Sequence, residues 1–315
     1  MNICAGFDVG GTNARVHLFD EALAPLGGAR RRIRDASAPD ELAQVLVELL
    51  VEACEQYDLE VGALDAMGLG LAGQLDRPGR IVKNAPNLGW RDVDFVSIFE
   101  AELTDHLDAP PPIHLVNDLS AQVWGEFRAG AVEGVQEVLA IYVGTGIGGA
   151  ILTEGRLVLG AGNNAGEIGH SKVVVGGRPC GCGERGCIEA YAGGVHLERQ
   201  VAPFIDGGND DEEPLLGRAD QLSASHDEIA AIWEEATDLL AIVAANACTL
   251  LNPSALLIGG GVLENCDRFR TLFIQKTLPL ILEVARDDIT VEMAALSDLG
   301  GMLGAADLAR TKYSP

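Results

Sequence analysis

Positive charge is scarce in this chain. Lysine and arginine together number 22 against 47 Asp and Glu, a formal net charge of −25, and only 4 of the residues are lysine. That balance repels phosphodiester backbones and anionic lipid, which excludes nucleic acid and membrane surfaces as expected partners. Long apolar runs are missing too. The longest, 138–152, is interrupted by glycines and falls short of the roughly 20 residues that span a bilayer. The opening residues Met1 to Gly6 carry no basic stretch, so no secretory signal is read there and a cytoplasmic protein is expected. No G-x-x-x-x-G-K-[ST] loop occurs, and no glycine run reads as a G-x-G-x-x-G turn from a strand into a helix. P-loop and dinucleotide folds are therefore not indicated by motif.

What is present points to a folded α/β protein. The 315 residues, 48% hydrophobic and 22% charged, correspond to about two domains and need no covalent staples. Ile3 to Asp8 reads as a strand, Val9 to Asn13 as a glycine turn, and Ala14 to Phe19 as a half-buried return strand. Pro39 opens a helix whose Leu42, Val45, Leu46, Leu49, Leu50 and Ala53 form one apolar face. Buried strands are expected at 66–72 and 113–116, with a helix over about 119–128. The alternation argues α/β. A second hairpin follows, strand 139–143, tip 144–149 and return 150–152. It echoes the first and indicates an internal duplication. Ser225-x-x-Glu228 reads as a capping box for a long helix that buries Leu250 and ends at Pro253. Strand 255–258 leads into Gly259-Gly260-Gly261. The segment 206–214 is acidic and is expected as a surface loop. A strand near 289–293 and a helix over about 300–310 close the chain.

Three kinds of chemistry are written into these segments. First, glycine turns let backbone amides converge on a phosphate, and Thr12 and Thr145 would each add a hydroxyl. Second, two carboxylates end strands. Asp8 could hold Mg²⁺ against phosphate oxygens or simply cap its turn. Asp118, with Asn117, could project into a ligand crevice and take a proton or be a helix N-cap. Third, seven cysteines are an odd number, and Cys180, Cys182 and Cys187 cluster downstream of His170. One imidazole and three thiolates make a closed structural zinc set; the alternative is buried unpaired thiols. Cys4, Cys54, Cys248 and Cys266 read as core. Glu167, His170 and Glu189 would then be grouped around a polyol, or each Glu would serve a surface salt bridge.

These segments resemble the ROK family (repressor, open reading frame, kinase), and most of all its bacterial glucokinases. The matching stretches run in family order: Asp8-Val-Gly-Gly-Thr12, Leu71-Ala-Gly73, Asn84 to Trp90, Val116-Asn-Asp118, Gly144 to Gly149, Gly166 to His170, Cys180 to Glu189, and Asn252 to Gly261. The resemblance implies an actin-like, hexokinase-type fold of two α/β domains around a cleft, residues 1–117 plus 297–315 and residues 118–296. It implies ATP-dependent phosphoryl transfer to a hexose, with Mg·ATP and structural zinc. By family pattern Asp118 is the catalytic base. Gly73, Asn87, Asn117, Asp118, Glu167, His170 and Glu189 line the sugar site. Gly10, Gly11, Thr12, Thr145, Gly146, Gly260 and Gly261 hold the nucleotide, with Asp8 beside them. His170, Cys180, Cys182 and Cys187 bind zinc. Asn13 stands where many relatives carry Lys. The resemblance also implies a homodimer or homotetramer. Competing readings are a kinase for mannose, fructose or N-acetylmannosamine, and a non-catalytic sugar-sensing regulator. Family repressors carry an N-terminal helix-turn-helix, whereas the hairpin here starts at residue 3.

Overall fold

The computed structural model describes residues 2–33, 38–107, 109–205 and 214–311. The acidic segment, apart from Pro214, lies outside them. The chain divides into two compact units. The first comprises Met1–Gly134, Arg156–Ala165 and Ala295–Pro315; the second comprises Val135–Gly155 and Gly166–Ala294.

In the first unit, β1 (Ile3–Val9) and β2 (Asn13–Phe19) form the expected hairpin, and β3 (Pro25–Arg32) extends it. Helix α1 (Pro39–Glu55) follows, then β4 (Leu64–Leu71). A small antiparallel sheet of β5 (Gln74–Leu75), β6 (Val82–Ala85) and β7 (Trp90–Val93) leads to α2 (Phe95–Leu103), β8 (Ile113–Asn117) and α3 (Asp118–Ala129). The main sheet runs β3-β2-β1-β4-β8, with β4 parallel to both β1 and β8. Five of the six expected core residues of α1 are fully buried, and Val45 is half-buried. Each buried leucine contributes about 1.5–3 kcal/mol, which fixes the helix against the sheet.

In the second unit, β9 (Val138–Val143) and β10 (Ile147–Thr153) form the second hairpin. Its tip is shorter than expected. Ile147 to Gly149 already pair with β9, leaving 144–146 as the turn. The two-residue strand β11 (Arg156–Leu157) comes next in the chain. Then come α4 (Glu189–Ala192), α5 (Gly194–Val201), α6 (Leu215–Leu222), α7 (Asp227–Leu251), β12 (Ala255–Gly259), α8 (Gly261–Asn265), α9 (Asp267–Thr277), α10 (Glu283–Arg286) and β13 (Thr290–Met293). The order β10-β9-β12-β13, one antiparallel pair then two parallel ones, repeats β2-β1-β4-β8. The internal duplication is thus present in the sheets.

Two local expectations fail here. Ser225 does not cap α7, because both its amide and its hydroxyl bond back to the Leu222 carbonyl. His226 takes the cap position, without a side-chain hydrogen bond. Leu250 is 84% exposed, since it falls on the outer stripe with Ile242 and Asn246. The four cysteines expected in the core are all buried.

The last helix, α11 (Ser297–Arg310), returns to the first unit. Its small residues let backbones touch. A Cβ on Gly6 or Gly68 would overlap the carbonyls of Met302 and Ala305, and one on Gly304 would overlap Ala121 of α3. Helix α3, expected to open the second domain, therefore lies in the first unit. Trp124 Nε1 donates to the buried Asp307 at 2.9 Å. Glu126, also fully buried, accepts from Ala295 N at 2.9 Å, Leu296 N at 2.8 Å and Ala131 N at 2.8 Å. Glu126→Ala would strand these amides and is expected to lower unfolding free energy by about 3 kcal/mol or more. A urea titration showing a loss under about 1 kcal/mol would refute this role.

Candidate functional site

In the first unit the candidate residues gather at the carboxyl ends of β1, β4 and β8. The turn after β1 is closed by Gly10 N donating to Asn13 O at 3.0 Å. Among the described residues no acceptor meets the amides of Gly11 and Thr12. Exposed Asn87 sits beside Gly11, whose ideal Cβ would lie 3.5 Å from that of Asn87. Asn117 is tied down twice. Its Oδ1 accepts from Leu119 N and Ser120 N, both at 3.1 Å, and its Nδ2 donates to Gly73 O at 3.3 Å. The N-cap of α3 is thus Asn117. Asp118 is the first helical residue, with Oδ1 accepting from Leu119 N at 2.9 Å. A negative charge is favoured at that end of a helix. Gly73, Asn87, Asn117 and Asp118 are therefore on neighbouring loops of one sheet edge.

Sequence reasoning missed the partner of Asp8. Arg15 Nη1 lies 3.1 Å from Asp8 Oδ2 and 2.8 Å from Asp298 Oδ1. Burial pushes the Asp8 carboxyl up, Arg15 pulls it down, and Asp298 raises it again. Residues 8 and 15 are direct partners across the β1–β2 ladder, so hairpin register was the signal available. Asp298 arrives only with α11.

In the second unit, Thr145 and Gly146 form the tip between β9 and β10, and Gly260 and Gly261 follow the adjacent β12. Gly144 N donates to Gly146 O at 3.0 Å, and the first amides of α5 hold the turn from behind: Gly194 N to Gly144 O at 2.9 Å, Val195 N to Thr145 O at 3.1 Å. The amides of Thr145 and Gly146 meet no acceptor among the described residues. They can receive an anion. Gly260 has φ +89 and abuts the Val143 backbone, where no side chain fits. Its amide donates to Glu264 Oε1 at 3.0 Å, so it acts through geometry rather than as an open donor. Beside this turn is a cavity of about 380 Å³, bounded by Thr145, Gly261, Leu216, Val262, Glu198 and Asn265 among others.

His170, Cys180, Cys182 and Cys187 do come together, their ligand atoms all within 4.8 Å of one another. Cys182 Sγ and Cys187 Sγ are 3.7 Å apart, as are Cys180 Sγ and His170 Nδ1. Zinc–sulfur bonds of about 2.3 Å in a tetrahedron require sulfur–sulfur edges of about 3.8 Å, so the set fits zinc. Lys172, another residue sequence reasoning overlooked, donates from Nζ to Cys187 Sγ at 3.0 Å. Three thiolates and one divalent ion leave a negative charge, and this ammonium offsets it. Behind the loop, Arg178 stacks over Tyr191 and pairs with Glu235 of α7 at 2.7 Å.

The same loop orients the remaining candidates. With Nδ1 turned to the thiols, His170 Nε2 faces Glu167 Oε2 at 4.0 Å. Glu189 reaches both ways: Oε1 accepts from Cys180 Sγ at 3.4 Å and Oε2 from Ile147 N at 3.0 Å. It links the thiol cluster to the glycine turn, which the spacing Cys187-x-Glu189 alone does not reveal.

Known proteins resemble this chain along its length. The glucokinase of Streptomyces coelicolor is 29% identical over 325 residues, covering 98% of each chain. An N-acetyl-D-glucosamine kinase of Yersinia pseudotuberculosis is 28% identical, covering 96% of this chain and 97% of its own. The crystal structure of a ROK family glucokinase from Streptomyces griseus, in complex with glucose and AMPPNP, superposes with a TM-score of 0.78 at 29% identity, over 98% of this chain and 100% of that one. The fold is accordingly the actin-like, hexokinase-type α/β fold. The family model described as ROK matches residues 4–312, which is nearly the whole sequence with both glycine hairpins and the thiol loop inside it, and the chain belongs to the ROK family.

Proposed function

We propose that the protein is an ATP-dependent hexose kinase, a glucokinase, that phosphorylates the 6-hydroxyl of glucose. The observation that carries this reading is the position of Asp118, at the carboxyl end of β8, in a chain resembling along its length a glucokinase solved with glucose and AMPPNP. Asp118 accepts the proton of the 6-hydroxyl as that oxygen attacks the γ-phosphorus. The new O–P bond forms as the bond to the β-phosphate oxygen breaks, and ADP leaves. The open amides of Thr145 and Gly146 hold phosphate oxygens, as do those of Gly11 and Thr12. Gly73, Asn87 and Asn117 orient the sugar, and Glu167, His170 and Glu189 accept from or donate to its hydroxyls.

Asp8 Oδ1 carries no partner among the described residues. One carboxylate beside phosphates suits Mg²⁺, which when bound supplies charge neutralisation at the phosphates. The N-acetyl-D-glucosamine kinase relative makes that amino sugar the second reading. A coupled ADP-release assay over glucose, N-acetylglucosamine, mannose, fructose and N-acetylmannosamine decides between them. Glucose is expected to lead in kcat/KM by about tenfold or more, an interaction difference of about 1.4 kcal/mol. A higher value for N-acetylglucosamine would transfer the assignment to that sugar, and no ADP release with any hexose would overturn the kinase reading.

A further inference from the structure

The cavity beside the second glycine turn contains an unexplained charge. Among the described residues that bound it, Glu198 is the one charged side chain. Its carboxylate makes no ion pair or hydrogen bond within the described structure. In a chain of net charge −25, an unpaired carboxylate facing a space meant for a polyanion is unfavourable unless the ligand brings donors to it. Phosphates bring none. The neutral parts of a nucleotide do.

The placement selects which donors. Glu198 lies on α5, whose first amides, Gly194 and Val195, grip the carbonyls of Gly144 and Thr145. Three residues of helix, a rise of about 4.5 Å, separate Val195 from Glu198. The group one link beyond a nucleotide's phosphates is the ribose, which presents two vicinal hydroxyls. A carboxylate with two free oxygens is the matching acceptor, as it is in other nucleotide folds. The rest of the wall, Pro214, Leu216 and Val262, is apolar and suited to the faces of a base. Asn265, also on the wall, donates from Nδ2 to Gly261 O at 2.8 Å, and its Oδ1 is an acceptor available to a polar base edge.

We infer that Glu198 is a specificity residue that accepts the 2′- and 3′-hydroxyls of the nucleotide and selects ribonucleotides over their deoxy forms. This rests on the nucleotide-binding reading above. The test is calorimetric titration of the full chain with Mg·ADP and with Mg·2′,3′-dideoxyADP, for the wild type, Glu198→Ala and Glu198→Gln. Hydrogen bonds to a charged acceptor are worth about ten- to hundredfold in affinity. Wild type is therefore expected to bind ADP about ten- to hundredfold more tightly than the dideoxy form. Glu198→Ala should bring the two within about threefold by weakening ADP alone. Glu198→Gln, whose amide oxygen still accepts, should fall between. Glu198 is exposed, and alanine is a good helix former, so the variants should fold. Unchanged discrimination in Glu198→Ala, or equal loss for both ligands, overturns the inference. Discrimination that depends on Glu198 without phosphorylation of any hexose would sink the kinase reading and leave this one standing. Hexose phosphorylation with no preference against the dideoxy nucleotide would do the reverse.

Discussion

Replacing Asp118 with asparagine should lower kcat for hexose phosphorylation by about a thousandfold, within the range general bases contribute, while hexose binding changes by no more than a few-fold. The asparagine oxygen can still accept from Leu119 N, which the carboxylate now receives at 2.9 Å. The N-cap of α3 is unaffected, because Asn117 and not Asp118 provides it. The variant thus separates chemistry from folding. Asp118→Ala removes the acceptor altogether and should reach the same floor in kcat, with a further cost of about 0.3–1 kcal/mol from the lost charge at the helix end. Coupled ADP release measures the first quantity, and calorimetric titration with glucose measures the second. Near-normal turnover in either variant would show that another group takes the proton. Loss of glucose binding together with turnover would make Asp118 a sugar-holding residue instead.

How much of this was legible in the sequence follows from the range of the forces involved. The two hairpins and α1 were legible because strand alternation, glycine tips and a helical apolar stripe are short-range patterns. The internal duplication was legible in the echo between Asp8-Val-Gly-Gly-Thr12 and Gly144-Thr-Gly; the strand order the two sheets share was not. The thiol cluster was legible because His170 and the three cysteines lie within one loop. Part of what escaped was set by residues far apart in sequence. Helix α3 joins the first unit because Trp124 meets Asp307 and Glu126 meets the amides of 295 and 296. Arg15 is bracketed by Asp8 and by Asp298, which lies in a helix nearly the whole chain away. Ser225 carries a valid capping motif, yet its hydroxyl is drawn to the end of the preceding helix. Leu250 lies on the outer stripe of α7 with Ile242 and Asn246 and not on its buried face. The α3 and Arg15 misses are tertiary contacts overriding a local rule, whereas at Ser225 a local bond to Leu222 competes with the cap.

Stripping metal from the protein should lower both its stability and its hexose affinity, and zinc should restore them. The loop between His170 and Cys187 is closed by turn bonds such as Val173 N to Gly186 O and Cys180 N to Glu184 O, both at 2.8 Å, but among the described residues it has no regular helix or strand of its own. Two isolated bridges, Lys172 with Cys187 and Pro179 with Arg185, are its only strand-like pairing among the described residues, and Val175 is fully exposed. Five glycines lie between residues 176 and 186, which raises the entropy of the unbound loop. Structural zinc supplies folding free energy directly, since its ligands assemble only in the folded loop. A loss of at least about 3 kcal/mol is expected, equivalent to a fall in Tm of roughly 6–12 °C for a unit of this size. The sugar site should suffer in parallel. His170 would lose the anchor that turns Nε2 toward Glu167. Cys187→Ser should reproduce the effect, because Cys187 is completely buried and the Lys172 ammonium would lose its thiolate partner. Elemental analysis of protein purified without chelator should find about one zinc per chain. Calorimetry before and after chelation then measures the stability term, and glucose titration the affinity term. Absence of zinc, or a stripped protein with unchanged Tm and glucose affinity, would mean that the thiols pack together without a metal, Cys180 and Cys187 buried and Cys182 exposed.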